Sequence, residues 1–397
     1  MGKKIALLGN MNNFNYCITR YLRDNGFDAN LYLADEFDHF TPISDDNFSG
    51  SMPQYIHQLD WHKIGHWKID KTKIRKEMLG YDFIIATDRS IAYLYKAGII
   101  VDLFIPHGGD IFYLPFYEWQ GFPPKRYEIG AWYQAYHQRK GIRASKNILM
   151  DYMNPEFEQV FKRLRYTNNR IKLGIPAIYT PMYEAEYLEK QIQDNEELKR
   201  LKSFKEGKAC LIFNNSRLVW TNRKEQQFHF KGNDRLLKAV ANLIKKENIN
   251  LGLALFEYGM DVEPTKRLVE ELDINNNVIW FNKMNRKQII PLMLEANIVS
   301  SEFEHSWIMG GVIVESLMTK KILLGYRRDQ DYDYYPELYP MLNATTQEQI
   351  EERIKFYLNN KERCNELAIQ AHKWFKTNFI EKSIQTICNL INSKESK

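Results

Sequence analysis

The sequence predicts an α/β protein made of two Rossmann-like domains. Apolar segments of strand length alternate with helical segments along nearly the whole chain, a pattern that favours parallel sheets with helical crossovers. This alternation stops at a charge-dense stretch over residues 184–208 and then starts again. A chain of 397 residues also suits two domains better than one, at roughly 150 residues per domain.

In the first domain, assigned to residues 1–195, strands and helices follow one another. The predicted strands are residues 4–9, 29–34, 81–87, 101–106, 145–150 and 171–175. The predicted helices are residues 16–25, 90–97 and 155–165. Residues 35–63 show weak periodicity and are predicted to be loop with one short helix.

The second domain, residues 196–375, repeats the pattern. Its predicted strands are residues 209–214, 251–256, 278–281, 298–300 and 321–326. Its predicted helices are residues 234–246, 265–272 and 286–295, with further helix over residues 346–375. Residues 376–397 are predicted to carry a helix, residues 379–391, that crosses back to the N-terminal domain. Ligands of such sheets bind beyond the carboxyl ends of the strands, so we expect a site in a cleft between two facing domains.

Composition narrows the classes of protein to consider. Apolar residues make up 44% of the chain and charged residues 26%, which supplies two cores and argues against disorder. The net charge of +5 is mild and does not require nucleic acid. The four cysteines lie far apart without metal or redox spacing, as expected for buried thiols in a reducing compartment. No segment approaches the ~20 apolar residues of a membrane span. The expected location is therefore cytoplasmic.

Residues 299–318 join a polar strand end to the start of a helix. An apolar strand ends in Ser300 and Ser301, and a glycine pair, Gly310 and Gly311, then opens a helix whose first turn is expected to carry Glu315. Backbone amides at a helix N-terminus can hold an anion. A carboxylate nearby can accept hydrogen bonds from ribose hydroxyls. The stretch is therefore predicted to form half of a nucleotide-sugar pocket.

Two basic residues in the same domain complete this prediction. Arg217 follows the strand 209–214, and Lys231 precedes the helix 234–246. Taken alone, both are compatible with solvated surface charges. Beside the Ser300–Glu315 element they indicate a clamp, because a phosphate leaving group needs fixed positive charge as its bond breaks.

The first turn of the chain disfavours a nicotinamide or flavin cofactor. A dinucleotide-binding turn needs Gly-x-Gly-x-x-Gly, and here only Gly9 is present. No cofactor is therefore expected. The loop that contains Asn12 and Asn13 is either a polar turn with an asparagine helix cap or a surface that faces the acceptor substrate.

A second turn in the first domain, Pro106 to Asp110, directly follows a strand. Gly108 and Gly109 allow backbone to approach a ligand, and His107 and Asp110 offer a donor and an acceptor. The alternative is a turn with a structural histidine. The position at a strand's carboxyl end favours the functional interpretation.

A basic run over residues 68–76 has two interpretations. It is either a solvated helix face or a contact with a membrane surface or an anionic acceptor. The residues concerned are Lys68, Lys71, Lys73, Arg75 and Lys76.

The combination of these motifs resembles the retaining glycosyltransferases of family 4, which have the GT-B fold. The resemblance covers nearly the whole chain and is most specific in the second domain. The residues that carry it are Ser216-Arg217, Lys231-Gly232-x-Asp234-x-Leu236-Leu237-x-Ala239, Asn297 to Ser301, Gly311-x-x-x-Glu315-Ser316-Leu317, and His107-Gly108-Gly109-Asp110.

The resemblance implies roles for individual residues. Arg217 and Lys231 match the family's donor-phosphate clamp. Glu315 matches the second glutamate of its Glu-x7-Glu motif, which binds the donor ribose. The chain departs from that motif at Trp307, where the first glutamate is expected. Glu304 is our choice for its sugar-facing role, with Glu302 as the alternative.

The resemblance further implies transfer of a sugar from a nucleotide donor with retained configuration, and without a metal ion. Asp329, Asp331 and Asp333 are read as loop rather than as a metal site. The acceptor is expected to be a glycan or a lipid-linked molecule in the synthesis of a cell-envelope polysaccharide, with nucleic acid excluded. The enzyme could then be peripheral at the inner membrane face through the basic run.

Two other functions remain open at this point. One is a nucleotide-sugar epimerase, for which additional acid and base residues around the sugar are not identifiable. The other is an inactive GT-B module that binds a nucleotide sugar or a partner subunit. The tryptophan at position 307 keeps the second alternative open.

Overall fold

The chain is organised as two α/β units, each built around one parallel sheet. The computed structural model describes residues 2–33, 42, 52–61, 66–117, 125–150, 155–183, 188, 195–222, 224 and 229–394. The first unit contains Met1–Tyr179 and Thr377–Lys397, and the second contains Thr180–Lys376. The domain boundaries predicted from the sequence, 195/196 and 375/376, stay predictions beside this division.

The first unit contains a seven-stranded parallel sheet in the order β3-β2-β1-β4-β5-β6-β7. Its strands are β1 (Lys4–Leu8), β2 (Asp28–Leu33), β3 (Ile56–Gln58), β4 (Phe83–Ala86), β5 (Leu103–Phe104), β6 (Asn147–Met150) and β7 (Asn169–Lys172). The central strands are buried on both faces, as the continuous apolar run of β1 requires. Strand β3 falls in the segment predicted to be loop, and the rest of that segment lies largely outside the described residues.

Helices cover this sheet. They are α1 (Phe14–Asp24), α2 (Lys71–Glu77), α3 (Ser90–Lys96), α4 (Gly109–Phe112), α5 (Arg126–Ala144) and α6 (Pro155–Leu164). The basic run predicted at residues 68–76 forms α2 and the turn before it. The sequence analysis missed α5, which has 19 residues and packs on α3.

The C-terminal segment completes the first unit. A π-type turn over Lys376–Glu381 leads into α14 (Lys382–Ser393). Phe379, Ile387 and Ile391 are fully buried there. Lys394 pairs with Asp102 at 2.7 Å.

The second unit contains a six-stranded parallel sheet in the order β10-β9-β8-β11-β12-β13. Its strands are β8 (Cys210–Asn214), β9 (Leu251–Glu257), β10 (Val278–Asn282), β11 (Ile298–Ser300), β12 (Ile322–Gly325) and β13 (Leu342–Asn343). Because β8 lies beside β11, the loops that follow these two strands emerge next to each other at one edge of the sheet.

The helices of the second unit pack on both faces of its sheet. They are α7 (Glu196–Lys205), α8 (Asn233–Glu247), α9 (Val262–Glu271), α10 (Arg286–Met293), α11 (Gly311–Met318), α12 (Gln347–Asn359) and α13 (Lys361–Phe375). One apolar cluster packs beneath α8 and α12, and a second packs beneath α7 and α10. Thr346 and Gln349 form a capping box that fixes the start of α12.

Two further observations bear on the sequence predictions. All four cysteines are buried thiols that form no disulfide, as expected. Among the residues that the structure describes, no helix is both long enough and apolar enough to cross a membrane.

Candidate functional site

Polar side chains from three elements meet at the carboxyl edge of the second sheet. The amide nitrogen Nδ2 of Asn214, at the end of β8, donates to Ser300 Oγ at 3.2 Å and to the Ser301 carbonyl at 3.4 Å. These bonds hold the two neighbouring strand ends together. The loops that carry Arg217 and Glu302 therefore start from fixed positions.

The loop after β8 is tied to the start of α8. Ser216 Oγ donates to Asn214 Oδ1 at 2.9 Å and accepts from Asn233 Nδ2 at 3.1 Å. Asn233 Oδ1 accepts the backbone N–H of Val219 at 3.1 Å. Four residues thus form one continuous network that orients the predicted clamp, and sequence spacing gave no sign of it.

Arg217 and Lys231 approach each other, although a long loop separates them in sequence. Burial and the positive charge of Arg217 lower the pKa of Lys231 to about 8, while contact with Glu302 acts in the opposite direction. Lys231 is only 16% exposed. Arg217 is half-buried, and its side chain makes no hydrogen bond or ion pair with the residues that the structure describes.

The acidic residues after β11 have separate partners. The carboxylate of Glu302 pairs with the Lys231 ammonium, and that of Glu304 pairs with Arg235. Glu302 Oε1 is fully enclosed and has no hydrogen-bond donor within the described part of the chain. The structure therefore brings Glu302, rather than Glu304, to Lys231, one of the two predicted clamp residues. The sugar-facing role of Glu304 stays a prediction.

Glu315 lies deeper in its helix than expected. Helix α11 begins at Gly311, so Glu315 is the fifth helical residue and stands in the second turn. The expectation that the first turn carries Glu315 was wrong, because the fifth helical residue lies beyond the ~3.6 residues of one turn. Glu315 is only 8% exposed, and its carboxylate accepts from Asn215 Nδ2 at 2.8 Å and from Arg286 Nε at 3.0 Å.

The residues between β11 and α11 leave open space beside the helix start. Gly310 and Gly311 are exposed, and a methyl group added at Gly311 would meet no atom of the described residues within 4 Å. Trp307 is half-buried in the preceding loop. Ser301 is buried instead, with its hydroxyl against Gly325, where an added Cβ would lie 2.1 Å from Ser301 Oγ. Ser301 thus packs β11 against β12.

In the first unit, His107 and Asp110 form a rigid turn after β5. Asp110 Oδ1 accepts the backbone N–H groups of His107 at 2.9 Å and Gly108 at 3.0 Å, and Oδ2 accepts that of Asp88 at 3.1 Å. Burial and nearby Asp88 raise the pKa of Asp110 to about 7, and these N–H donors oppose the rise. Gly108 has a φ of 122°, which favours glycine. Asp110 therefore positions the turn.

The His107 ring is held in its neutral form. It stacks on Phe14 with ring centroids 4.7 Å apart. Burial lowers the pKa of His107 to about 3. Its Nε2 atom is enclosed and has no partner among the residues covered by the structure. A neutral imidazole nitrogen can donate to, or accept from, a hydroxyl group.

The loop after β1 is shaped by asparagines. Asn12 and Asn13 have φ angles of 53° and 61°, a left-handed conformation that asparagine tolerates. Asn10 Oδ1 accepts the Tyr16 backbone N–H at 2.9 Å. The side chain that caps the start of α1 is therefore that of Asn10. The left-handed turn leaves Asn12 half-buried.

The turns after β1, β4 and β5 enclose a cavity of about 320 Å³. His107, Gly109 and Asp110, which the sequence singled out, line it. Asp88, Arg89 and Tyr113 line it as well, and the sequence analysis missed them. One signal was available for two of these, since Asp88 and Arg89 directly follow a predicted strand.

Asp329 and Asp333, two of the three aspartates predicted to lie in a loop after β12, line another cavity of about 450 Å³. Asp329 pairs with Arg327 and Asp331 pairs with Arg328, each at 2.7 Å. These carboxylates serve local ion pairs in a 3₁₀ turn, Asp329–Tyr332. Within the described residues, no group of three or more histidine, cysteine, aspartate and glutamate side chains is placed to hold a metal ion.

Sequence reasoning missed two contributors in the second unit, Asn215 and Arg286. Asn215 lies in the loop after β8, and Arg286 is the first residue of α10. Both reach Glu315 across the sheet edge. Asn215 is separated from Glu315 by 100 residues in sequence, so no local pattern could indicate the contact.

Part of the second unit is similar to a known protein family. Residues 225–374 match the family model described as glycosyl transferases group 1. No curated protein matches the chain in a sequence search.

Solved structures match over almost the whole chain. HepE from Anabaena, solved in complex with UDP-glucose, has a TM-score of 0.62 at 13% identity, with 98% of this chain and 99% of that chain covered. WaaG, a glycosyltransferase involved in lipopolysaccharide biosynthesis, has a TM-score of 0.56 at 16% identity, with 98% and 100% covered. Sucrose-phosphate synthase from Thermosynechococcus elongatus has a TM-score of 0.59 at 12% identity, with 98% of each chain covered.

These likenesses confirm the predicted fold class. The chain is an α/β protein with two Rossmann-like units of the GT-B type, and the predicted resemblance to GT-B glycosyltransferases is confirmed.

Proposed function

We propose that this chain, whose second unit carries a glycosyl transferases group 1 domain, transfers a sugar from a nucleotide-sugar donor to an acceptor hydroxyl with retention of configuration. The observation that carries the proposal is the edge of the second sheet. There, Arg217 and Lys231 share the site with two enclosed oxygens, Asn215 Oδ1 and Glu302 Oε1, which meet no hydrogen-bond donor among the described residues. A ligand that suits both must carry negative charge and hydroxyl groups.

The cations suit the diphosphate of a nucleotide sugar. The bond between the donor sugar's anomeric carbon and its phosphate oxygen breaks, and charge develops on that oxygen. Arg217 and Lys231 would stabilise this charge, which is the most effective place for fixed positive charge. The proposal assigns the clamp to these side chains and assigns no metal or cofactor.

The enclosed oxygens suit hydroxyl groups. A buried acceptor without a donor costs free energy, and a ligand hydroxyl would recover that cost. We assign Glu315 to the donor ribose, with Gly310, Gly311 and Ser301 shaping the donor site. Glu304, or alternatively Glu302 beside Lys231, is assigned to bind the sugar of the donor.

We assign the acceptor to the first unit. Its cavity presents His107, Gly109 and Asp110, and Gly108, Asn12 and Asn13 belong to adjoining turns. The acceptor oxygen attacks the anomeric carbon on the face that the phosphate leaves, and its proton passes to the departing phosphate oxygen. His107, which is neutral, orients the acceptor hydroxyl and need not take up the proton.

The proposed acceptor is a glycan or a lipid-linked molecule of cell-envelope polysaccharide synthesis. We place the protein in the cytoplasm, in peripheral contact with the inner membrane face. The support is a surface of the first unit where Lys68, Lys71 and Lys76 are exposed. Trp67, Trp132 and Tyr136 are each at least 40% exposed. These aromatic residues lie near the lysines because the turn before α2 packs on α5. Aromatic and basic residues together suit an anionic membrane surface.

A thermal-shift screen of UDP-, GDP-, ADP- and CMP-linked sugars tests the donor proposal. A ligand that binds only the folded protein raises the midpoint by mass action, so the hit names the donor. Donor hydrolysis and transfer are then measured for Arg217→Ala and Lys231→Ala, and each is expected to fall by at least about 100-fold. Arg363→Ala and Lys355→Ala, exposed residues of the same unit, are the matched controls.

The same assays separate the alternatives. Nucleotide-sugar binding without turnover on any acceptor extract would indicate an inactive binding or partner subunit. Interconversion of donor epimers without an acceptor would indicate an epimerase. Absence of any shift would contradict the catalytic proposal.

Sedimentation with lipid vesicles tests the membrane contact. The wild type is expected to bind phosphatidylglycerol vesicles and not phosphatidylcholine vesicles. The double variant Lys71→Glu/Lys76→Glu is expected to lose this binding, because each basic residue near an anionic surface contributes about 1 kcal/mol. Lys199→Glu/Lys202→Glu in the second unit should leave it unchanged. Equal binding by the two double variants would refute the contact.

A further inference from the structure

The capped start of helix α10 fixes the position of the Arg286 backbone. Asn285 and Gln288 form a capping box, in which the Asn285 backbone N–H donates to Gln288 Oε1 at 3.0 Å. Arg286 follows this cap as the first helical residue. Its side chain reaches α11 and donates from Nε to Glu315 Oε1 at 3.0 Å. Both side chains are well buried, with exposed fractions of 12% for Arg286 and 8% for Glu315.

Asn215 approaches the same carboxylate from the loop after β8. Its Nδ2 donates to Glu315 Oε2 at 2.8 Å. A carboxylate only accepts hydrogen bonds, so this contact fixes which end of the amide is nitrogen. The opposite end, Oδ1, is enclosed and meets no donor in the described part of the chain. An enclosed acceptor of this kind indicates a ligand hydroxyl at that position.

A carboxylate as buried as Glu315 needs such partners to remain ionised. Burial alone favours the neutral acid, and a nearby guanidinium favours the charged form. An ionised carboxylate accepts stronger hydrogen bonds from hydroxyls than a neutral acid does. The Arg286 charge also offsets the repulsion between Glu315 and a diphosphate.

We infer that Arg286 and Asn215 are positioning residues for the nucleotide end of the site, which hold Glu315 ionised and oriented toward a ligand diol. Asn215 Oδ1 accepts one hydroxyl of the same ligand. This inference rests on the proposed function, because the diol is assigned to the ribose of the donor. Arg286 and Asn215 thus affect nucleotide affinity without belonging to the phosphate clamp.

A double-mutant cycle in nucleotide affinity tests the inference. Binding of UDP, or of whichever nucleoside diphosphate corresponds to the donor found in the screen, is measured by calorimetry at pH 7. Arg286→Gln is expected to weaken binding by at least about tenfold, because a hydrogen-bonded charge is lost. In the Glu315→Gln background the same change is expected to have little effect. Arg286→Lys should recover part of the affinity.

The pH profile supplies a readout that a merely structural role would not change. The Arg286→Gln substitution removes the positive charge beside the buried Glu315 carboxylate. The affinity of Arg286→Gln should therefore fall as pH decreases from 8 to 5, more steeply than that of the wild type. Glu315→Gln/Arg286→Gln should lose this extra dependence. Asn215→Ala should weaken binding at every pH, and Arg200→Gln, which alters another ion pair of this unit, should match the wild type.

Two outcomes overturn the inference in different ways. If the wild type binds no nucleoside diphosphate, the proposed function and the inference both fail. If the wild type binds one, but Arg286→Gln costs the same affinity with Glu315 as without it, only the inference fails. Melting temperatures of all variants separate loss of folding from loss of binding, and Arg286→Lys remains informative if Arg286→Gln does not fold.

Discussion

At the scale of single residues, the candidate donor site is distinguished by how its charges pair. Glu302 contacts Lys231, one of the two proposed clamp residues. Arg217 has no ionic partner among the described residues, so its charge is available to a ligand. A diphosphate that enters must compete with Glu302 for Lys231. Glu302 is therefore expected to oppose nucleotide binding while it aids the reaction of the sugar.

Glu302→Gln tests this dual role. The variant is expected to bind the product nucleoside diphosphate about three- to tenfold more tightly, because Lys231 loses its anionic partner. Sugar transfer should nevertheless slow, because the enclosed acceptor for a sugar hydroxyl is weakened. Calorimetry and transfer assays measure the two effects. Glu304→Gln, whose partner is Arg235, should not tighten binding. Similar behaviour of the two variants would contradict the assignment.

Lys231 also predicts how activity depends on pH. Its pKa is lowered to about 8, so the side chain is protonated below pH 8 and loses its charge above it. Because a neutral lysine cannot stabilise a leaving phosphate, kcat/KM should decrease as pH rises through about 8. The profile of kcat/KM reports groups of the free enzyme. Lys231→Arg should retain activity to higher pH, since arginine stays protonated. If kcat/KM decreases over the same alkaline pH range in the wild type and in Lys231→Arg, Lys231 does not cause the decrease.

At the scale of secondary-structure elements, close packing explains one glycine of α5. Gly141 lies against α3, where an added Cβ would approach the Ile91 carbonyl oxygen to 2.8 Å. Gly130, in the same helix, would meet no atom within 4 Å. The two helices can therefore pack at this distance only with glycine at position 141.

Alanine substitutions at these two glycines should have opposite effects. Gly141→Ala is expected to lower the free energy of unfolding by about 1–3 kcal/mol through overpacking. Gly130→Ala is expected to raise it by about 0.5–1 kcal/mol, because alanine has the higher helix propensity. Urea denaturation measures both values. A stabilising Gly141→Ala would mean that α3 and α5 move apart at little cost.

The elements also show why part of the fold was missed. Ser90–Lys96 was predicted almost to the residue, because a short apolar helix follows an apolar strand. Helix α5 was not predicted, since large aromatic residues, among them Trp132 and Tyr136, lie on its exposed side. The amphipathic pattern that reveals a helix is weak there. Strand β3 was also missed, because its three residues are too few to show the alternating pattern of a strand.

At the scale of the whole molecule, the C-terminal segment belongs to the first unit although the second unit separates the two in sequence. Helix α14 buries Ile384, Ile387 and Ile391. Lys3 donates to the Ile391 carbonyl at 2.9 Å, which ties the start of β1 to the end of the chain. The stability of the first unit should therefore depend on residues near the C-terminus.

Ile387→Ala tests this dependence. The residue is fully buried, so its truncation should cost about 2–5 kcal/mol. Hydrogen exchange measured by mass spectrometry should show faster exchange in β1 and β4, with β8 and β9 little changed. Ile369→Ala, at an exposed position of α13, should alter stability by less than about 0.5 kcal/mol. Equal loss of protection in both sheets would show that the units unfold together.

The sequence by itself determined the alternation of strands and helices, the two sheets, and the position of the polar residues after particular strands. These features depend on local periodicity and on which residues end a strand, so they are visible in a short window. His107, Arg217 and Ser301 were predicted as site residues in this way.

Only the tertiary structure decided which of these residues meet. Lys231 and Glu302 are 71 residues apart, and they pair because their loops emerge from neighbouring regions of one sheet edge. The same edge brings Asn215 and Arg286 to Glu315. Strand order sets such contacts, and strand order follows from the packing of the whole unit. The sequence therefore predicted a nucleotide-sugar site, and the fold determined how the charged residues of that candidate site are paired.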